Sequence, residues 1–249
     1  MVDVYNVSKK FGKATAVSNL SLQIEKGEFV GILGSSGCGK TTLLRLIAGL
    51  DAPDTGSIEI DGNLANNPKI LIPPRQRKIG MVFQDLALWP HMNAVAHLDF
   101  VLRSQPQVQS SKFKVQNVDR KIEEIFEIVK FPPDFSKKYP HQLSGGERQR
   151  LAIARSLAQE PQILLLDEPL ANLDTMLKHN LQREIKRLHK TLATTLIYVT
   201  HDAQELKGTT ERLIIMNKGK IAQQGNAEEV FAYPKNEFVG RLLGKEWVE

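Results

Sequence analysis

Residues 1–30 alternate between apolar and polar positions, as in Val17, Leu20, Leu22 and Ile24 with polar residues between them. This is the pattern of half-buried strands, and Lys26–Gly27 then marks a turn. Phe29 to Leu33 is a short apolar run ending at Gly34, which predicts a buried strand. Apolar residues at 43, 44, 47 and 48 give Lys40–Leu50 helical spacing. Short strands are expected between Gly56 and Gly62 and from Ile79 to Phe83. From 87 to 159 strand-like runs disappear. Ile122, Ile125, Phe126 and Val129 share one helix face, and Leu151, Ala154 and Ala158 another. Residues 104–118 are polar and rich in Gln and Ser, which predicts an exposed connection. Ile163 to Leu166 is apolar without alternation, as in a strand covered on both faces of a parallel sheet. A charged amphipathic helix is expected over Leu181–Leu192, a buried strand over Thr195–Thr200 and a hairpin over 212–224 turning at Asn217 to Gly219. Short helices are expected over 225–249. The pattern predicts one α/β domain over 1–249, with a core from 1–86 and 160–249 and an inserted helical subdomain at 87–159.

Composition narrows this reading without redirecting it. At 249 residues, 41% hydrophobic and 24% charged, the chain is an ordinary globular protein with ample core. Its net charge of +5 is spread among acids rather than blocked, so no nucleic-acid partner is expected. A single cysteine rules out an internal disulfide and a cysteine-based zinc site, and it suits a reducing, cytosolic compartment. The N-terminus has no signal-like apolar segment, and no run approaches 18 apolar residues. If the protein serves a membrane process, other subunits must supply the span.

Three segments carry chemistry. The first is Gly34, Ser35, Ser36, Gly37, Cys38, Gly39, Lys40 and Thr41, followed by Thr42, between a predicted strand and helix. This is the phosphate-loop pattern. Its glycines let successive N–H groups turn towards phosphate oxygens, and the helix adds its positive end. Lys40 is placed to reach β- and γ-phosphates and Thr41 to ligate Mg²⁺. The second is Asp167–Glu168 after a buried apolar strand. An acid there is costly unless it meets a positive partner. Asp167 suits Mg²⁺, and Glu168 suits orienting or deprotonating an attacking water. The third runs from Leu143 through Ser144, Gly145, Gly146 and Glu147 to Arg150. Ser144 and Glu147 form a capping box, and a helix start with two glycines and a hydroxyl is also an anion site.

In this order the three segments resemble the ATP-binding cassette (ABC) ATPases, and the resemblance covers nearly the whole chain. It implies a P-loop NTPase core, an N-terminal antiparallel β subdomain and an inserted α-helical subdomain. It also implies ATP and Mg²⁺ as cofactors. Val82, Phe83 and Gln84 are similar to the family's Q-loop, implying that Gln84 senses the metal or the attacking water. Asp174, in Ala171 to Asp174, matches the segment that crosses the dimer interface, although Ala171 and Asn172 depart from the commoner Ser-Ala or Ser-Asn. His201 matches the switch residue that contacts the γ-phosphate, and Phe11 the aromatic that stacks on adenine. Catalytic roles are thus expected for Glu168, His201 and Gln84, and metal contacts for Thr41, Gln84 and Asp167. The resemblance further implies a head-to-tail dimer, in which Ser144, Gly145, Gly146 and Glu147 of one copy face the nucleotide held by Lys40 of the other.

The stretch from Pro73 to Met92, Tyr139 to Ser144 and Phe238 to Gly244 resemble one importer branch, which serves iron(III), sulfate, polyamines and maltose-type sugars. That branch implies integral membrane permease subunits, an extracytoplasmic solute-binding protein and a peripheral position at the cytoplasmic face of the membrane. It also places Trp89, Pro90 and His91 where a permease helix docks. Its members usually add a C-terminal regulatory β domain, which the resemblance does not reach here. An exporter ATPase is the nearest alternative, ahead of ABC ATPases acting on DNA or ribosomes. A GTPase is disfavoured because Asn217–Lys220 lacks the aspartate of a guanine-reading motif.

Overall fold

The computed structural model describes residues 1–104, 115–171 and 173–245. Two sheets organise it. Strands β1 (Val2–Phe11), β2 (Ala14–Ile24), β4 (Thr55–Ile60) and β5 (Asn63–Asn66) form an antiparallel sheet in the order β2-β1-β4-β5. The second sheet runs β10-β9-β3-β8-β7-β6. It comprises β3 (Phe29–Leu33), β6 (Ile79–Val82), β7 (Ile163–Asp167), β8 (Thr195–Thr200), β9 (Arg212–Asn217) and β10 (Lys220–Asn226). All its pairings are parallel except the β9–β10 hairpin.

The unalternated strands are explained by two apolar clusters. Within β3, Val30 and Ile32 point into a cluster shared with the antiparallel sheet and helix α1 (Lys40–Ala48). Phe29 and Leu33 point into the other, shared with the remaining helices. The same split divides Leu165 from Leu164 and Leu166 in β7, and Ile197 from Leu196 and Tyr198 in β8. A strand with apolar partners on both faces has no polar side to alternate with. Helix α1 lies between the two sheets, with Leu43, Leu44, Leu46 and Ile47 fully buried. Each such side chain removed from water contributes roughly 1.5–3 kcal/mol.

Helices α2 (Ala94–Arg103), α3 (Val115–Ile128) and α4 (Gly145–Leu157) follow β6, and α5 (Thr175–Leu192) and α6 (Ala203–Leu206) flank β8. Helices α7 (Ala227–Ala232) and α8 (Glu237–Leu242) follow β10. Several boundaries differ from the sequence expectation. The exposed connection expected over 104–118 gives way to α3 from Val115, because the apolar stripe through Ile122 and Phe126 extends N-terminally to buried Val118; 105–114 lie outside the described residues. Helix α5 starts at Thr175, six residues before the expected Leu181, because the Asp174 carboxylate accepts the Leu177 N–H (2.9 Å) and caps it there. Strand β2 keeps Val17 and Leu20 both buried despite their odd spacing, because Asn19 at φ 47° shifts the alternation by one residue. The hairpin turns on Lys218 (φ 45°) and Gly219 (φ 77°), the left-handed pair that a two-residue hairpin favours.

Candidate functional site

Four neighbouring parallel strands, β3, β8, β7 and β6, end at the same edge of their sheet. Parallel pairing puts whatever follows each strand side by side, and ligands of open α/β sheets bind outside these carboxyl ends. The phosphate loop follows β3, His201 follows β8, Asp167 ends β7 and Gln84 stands just past β6.

The loop's shape is set by contacts that leave no room for side chains. A Cβ on Gly39 (φ 108°) would lie 2.1 Å from the Ala16 carbonyl oxygen, and one on Gly34 would lie 2.5 Å from Cys38 Sγ. Ala16 belongs to β2, so the β1–β2 hairpin abuts the loop. Phe11 pairs with Ala14 at the tip of that hairpin and is 52% exposed, with Lys9 Nζ 5.6 Å from its ring centre. Ser35, Ser36 and Gly37 are exposed, whereas Cys38, Gly39 and Lys40 are buried. Burial pushes the Cys38 thiol above its ordinary pKa, against the pull of Lys40.

Lys40 Nζ donates to the carbonyls of Gly34 (2.8 Å) and Ser35 (3.2 Å) and lies 4.0 Å from Glu168 Oε1. The other carboxylate oxygen of Glu168 is 2.9 Å from His201 Nδ1. Glu168 therefore stands between a buried ammonium and an exposed imidazole. Its backbone is held at φ 45°, a left-handed geometry that costs a non-glycine residue about 1 kcal/mol. The Thr41 hydroxyl donates to Asp167 Oδ1 (2.9 Å). Asp167 is only 3% exposed, and burial raises its pKa above the ordinary carboxylate value, with Glu168 adding to the rise and Thr41 and Lys40 opposing it. Thr42 is half-buried and Gln84 exposed.

The chemistry of this donor set suits MgATP. Thr41 and Asp167 offer two hard oxygens side by side, the loop offers backbone N–H groups, and α1 directs its positive end at the same place. No cluster of three metal-ligating side chains occurs among the described residues.

Ser144, Gly145, Gly146 and Glu147 are not in this group. Ser144 caps α4: Glu147 Oε2 accepts the Ser144 N–H (2.7 Å) and Ser144 Oγ accepts the Glu147 N–H (3.4 Å). A Cβ on Gly145 would lie 2.8 Å from Leu173, and one on Gly146 would lie 2.8 Å from Leu177. The glycines thus bring the α4 start against the segment around Asp174. Among the described residues, no hydrogen bond or ion pair joins Ser144–Glu147 to Lys40, Asp167 or Glu168.

One part of the site is not legible as a motif. Glu205 is 4% exposed and accepts from Tyr198 OH (3.0 Å), Thr200 Oγ1 (2.8 Å) and Lys178 Nζ (3.0 Å). Thr200 Oγ1 in turn accepts the Asp202 N–H (3.1 Å), closing a bridge around His201. Glu205 and Lys178 are 27 residues apart and look like ordinary helix-surface charges until folded.

Comparison with known proteins places the chain in a family. Residues 17–171 match the family model described as ABC transporter. The chain is 44% identical over 243 residues to the sulfate/thiosulfate import ATP-binding protein of Pseudomonas syringae, covering 98% of this chain and 72% of that protein. It is 40% identical over 245 residues to the spermidine/putrescine import ATP-binding protein of Nitrosospira multiformis, covering 98% and 64%. It is 42% identical over 246 residues to the trehalose/maltose import ATP-binding protein of Thermococcus litoralis, covering 98% and 63%. The chain thus spans about two thirds of the length of these relatives. Among solved structures, the ATP-binding cassette MJ0796, a dimer bound to ADP and Pi in a post-hydrolysis state, superposes with a TM-score of 0.79 at 32% identity, covering 91% of this chain and 99% of that one.

Proposed function

The chain belongs to the ABC transporter family, and on that premise we propose that it is the ATP-binding subunit of an importer, hydrolysing MgATP at two composite sites of a head-to-tail dimer. The observation that carries this reading is the division of the site. Lys40, Thr41, Asp167, Glu168, His201 and Gln84 share one sheet edge, whereas Ser144–Glu147, a second helix start suited to an anion, is hydrogen-bonded to none of them among the described residues. A second copy supplies what the first does not bring together.

In this reading the loop N–H groups and Lys40 hold the phosphates, Lys40 exchanging its Gly34 and Ser35 carbonyls for phosphate oxygens. Phe11 stacks on the adenine from the hairpin tip. Thr41 and Asp167, with Gln84, would hold Mg²⁺, which would supply charge neutralisation on the phosphates. Glu168, turned by its left-handed backbone towards Lys40 and His201, orients the attacking water and accepts its proton. His201 contacts the γ-phosphate, and the Glu205–Thr200–Asp202 bridge fixes its loop. Ser144, Gly145, Gly146 and Glu147 close on the γ-phosphate of the partner copy, with Asp174 beside them at the interface. Residues 87–159 form the helical subdomain, inserted between the core segments 1–86 and 160–249, that meets the permease.

No helix among the described residues is long and apolar enough to cross a membrane. In this reading separate permease subunits supply the span, the chain sits at their cytoplasmic face, and a solute-binding protein lies outside. Three relatives named for import of different solutes favour import over export, and their diversity leaves the cargo to the other subunits. The test is Glu168→Gln: hydrolysis falls by about 100-fold or more while ATP binding persists. Isolated from membranes with ATP, this variant carries permease subunits with it. Undiminished turnover, or recovery without membrane subunits, refutes the respective half of the proposal.

A further inference from the structure

The segment after Gln84 is held in a shape it would not keep alone. Leu86 (φ 61°) and Ala87 (φ 44°) are consecutive non-glycine residues in the left-handed region. Each costs of order 1 kcal/mol, and such a pair persists only where outside contacts over-determine it. Within the loop, Asp85 Oδ1 accepts the Ala87 N–H (3.2 Å); from outside it, Arg155 holds the pair itself and His97 holds Trp89 two residues on. Arg155, on α4 and buried, donates through Nη2 to the Leu86 carbonyl (2.9 Å) and through Nη1 to the Ala87 carbonyl. Its guanidinium also lies 5.3 Å from the Trp89 ring centre. His97, on α2, is fully buried, and its Nε2 accepts the Trp89 N–H (2.9 Å). Its ring stacks on the Trp89 indole at 5.4 Å, and Phe100 meets the indole edge-on at 5.3 Å.

These bonds define the chemistry of His97. Nε2 accepts a backbone N–H, so it carries no proton, and the proton sits on Nδ1, which donates to the Asn93 carbonyl (2.8 Å). A second proton would put two N–H groups face to face and place an imidazolium near the Arg155 guanidinium. The charged and titratable groups facing His97 are Arg155 from α4 and His91 from the loop; Asp85 faces Arg155. Among the described residues no carboxylate is hydrogen-bonded to the imidazole.

We propose that His97 is a positioning residue for the nucleotide site: neutral, it joins Arg155 in clamping the loop that follows Gln84 to the helix that begins at Ser144, and on acidification it lets that loop go. Arg155 lies on the same helix as Ser144, so the clamp makes the loop after Gln84 and the α4 start one rigid piece. Releasing the loop slows hydrolysis without weakening ATP binding, because the phosphate loop lies on β3 and α1. Burial and Arg155 lower the imidazole pKa, against the Asn93 hydrogen bond, so release comes below the ordinary value of 6.5. This rests on the ATPase reading above.

The test separates the two. Trp89 and Trp247 are the two tryptophans, so Trp247→Phe leaves Trp89 as the only indole. Its emission is expected to change on acidification with a single midpoint below 6.5, and the transition is expected to vanish when His97→Gln is added. The glutamine oxygen can accept the Trp89 N–H but does not titrate. In steady-state hydrolysis, kcat of the wild type falls with the same midpoint while KM for ATP stays within about twofold. His97→Gln keeps kcat at pH 8 within about twofold, and its acid limb moves by at least about half a unit. Arg155→Lys, which loses the fork that spans two carbonyls, lowers kcat more than it changes KM. An unchanged emission transition or an unmoved acid limb in His97→Gln overturns the proposal. A wild type that binds no ATP refutes the function instead, because the emission transition does not depend on nucleotide.

Discussion

At the scale of single residues, the site is built from groups held against their solution preferences. Asp167 is the clearest case, since its burial beside Glu168 raises its pKa. A carboxyl whose folded pKa exceeds its unfolded value adds stability that is full below the unfolded pKa and is lost as pH rises through the folded one. At pH 7 the ionised Asp167 is therefore a destabilising group in the nucleotide-free chain. Asp167→Asn is expected to raise the Tm of that chain at pH 7, with the advantage shrinking as pH falls through the raised folded pKa and gone below the ordinary carboxylate value of about 4, and to abolish Mg²⁺-dependent ATP hydrolysis. A lower Tm at pH 7 would mean that Thr41 and Lys40 outweigh the burial cost. Asp167 and Glu168 were recognisable by position in sequence. Glu205 was not, because its partners Tyr198, Thr200 and Lys178 form no motif and meet only when α5 and α6 pack beside β8.

At the scale of elements, the phosphate loop depends on how firmly α1 is seated. The far end of α1 stops at Gly49 (φ 78°), where a Cβ would collide with the Arg77 guanidinium at 2.4 Å. Arg77 is buried and donates to the carbonyls of Leu46 (3.1 Å), Ile47 (2.7 Å), Ala65 (2.7 Å) and Ile72 (2.7 Å). Burial pulls its pKa down to about 10, still charged at neutral pH. One cation thus satisfies orphan carbonyls at the helix C-terminus and ties α1 to β5 and the following loop. Arg77→Met keeps much of the volume and leaves these carbonyls without their donor. It is expected to cost about 2–4 kcal/mol, read as a lower midpoint in denaturant. A change under about 0.5 kcal/mol would show that water replaces the guanidinium. In sequence, Arg77 is one charge in the stretch from Pro73 to Met92, with nothing to mark it as buried.

At the scale of the whole molecule, the two-copy site makes a quantitative prediction. Lys40→Ala removes the phosphate-loop half of both sites in its own dimer, and Ser144→Arg blocks the helix-start half in its own. A mixed dimer keeps one intact site. Equal mixing with free exchange should restore about a quarter of wild-type activity, from half the dimers carrying one of two sites. Activity no higher than that of either parent would refute the head-to-tail arrangement.

The amino-acid sequence by itself determined the chemistry and the class of fold. The phosphate loop, the Asp167–Glu168 pair and the Ser144 helix start are local, because turn geometry, charge and capping act over a few neighbouring residues. The unalternated run at Ile163–Leu166 likewise announced a strand covered on both faces of a parallel sheet, and Phe29–Leu33 and Thr195–Thr200 announced buried strands. The Glu205 bridge and the His97–Arg155 clamp were decided by tertiary structure, whereas the start of α5 at Thr175 and the phase shift at Asn19 are local features that the apolar period does not record. Each depends on partners tens of residues away or on a local cap or twist competing with periodicity. A buried hydrogen bond leaves no trace in hydrophobic pattern, since the pattern records which side chains avoid water but not which polar atoms meet once water is gone.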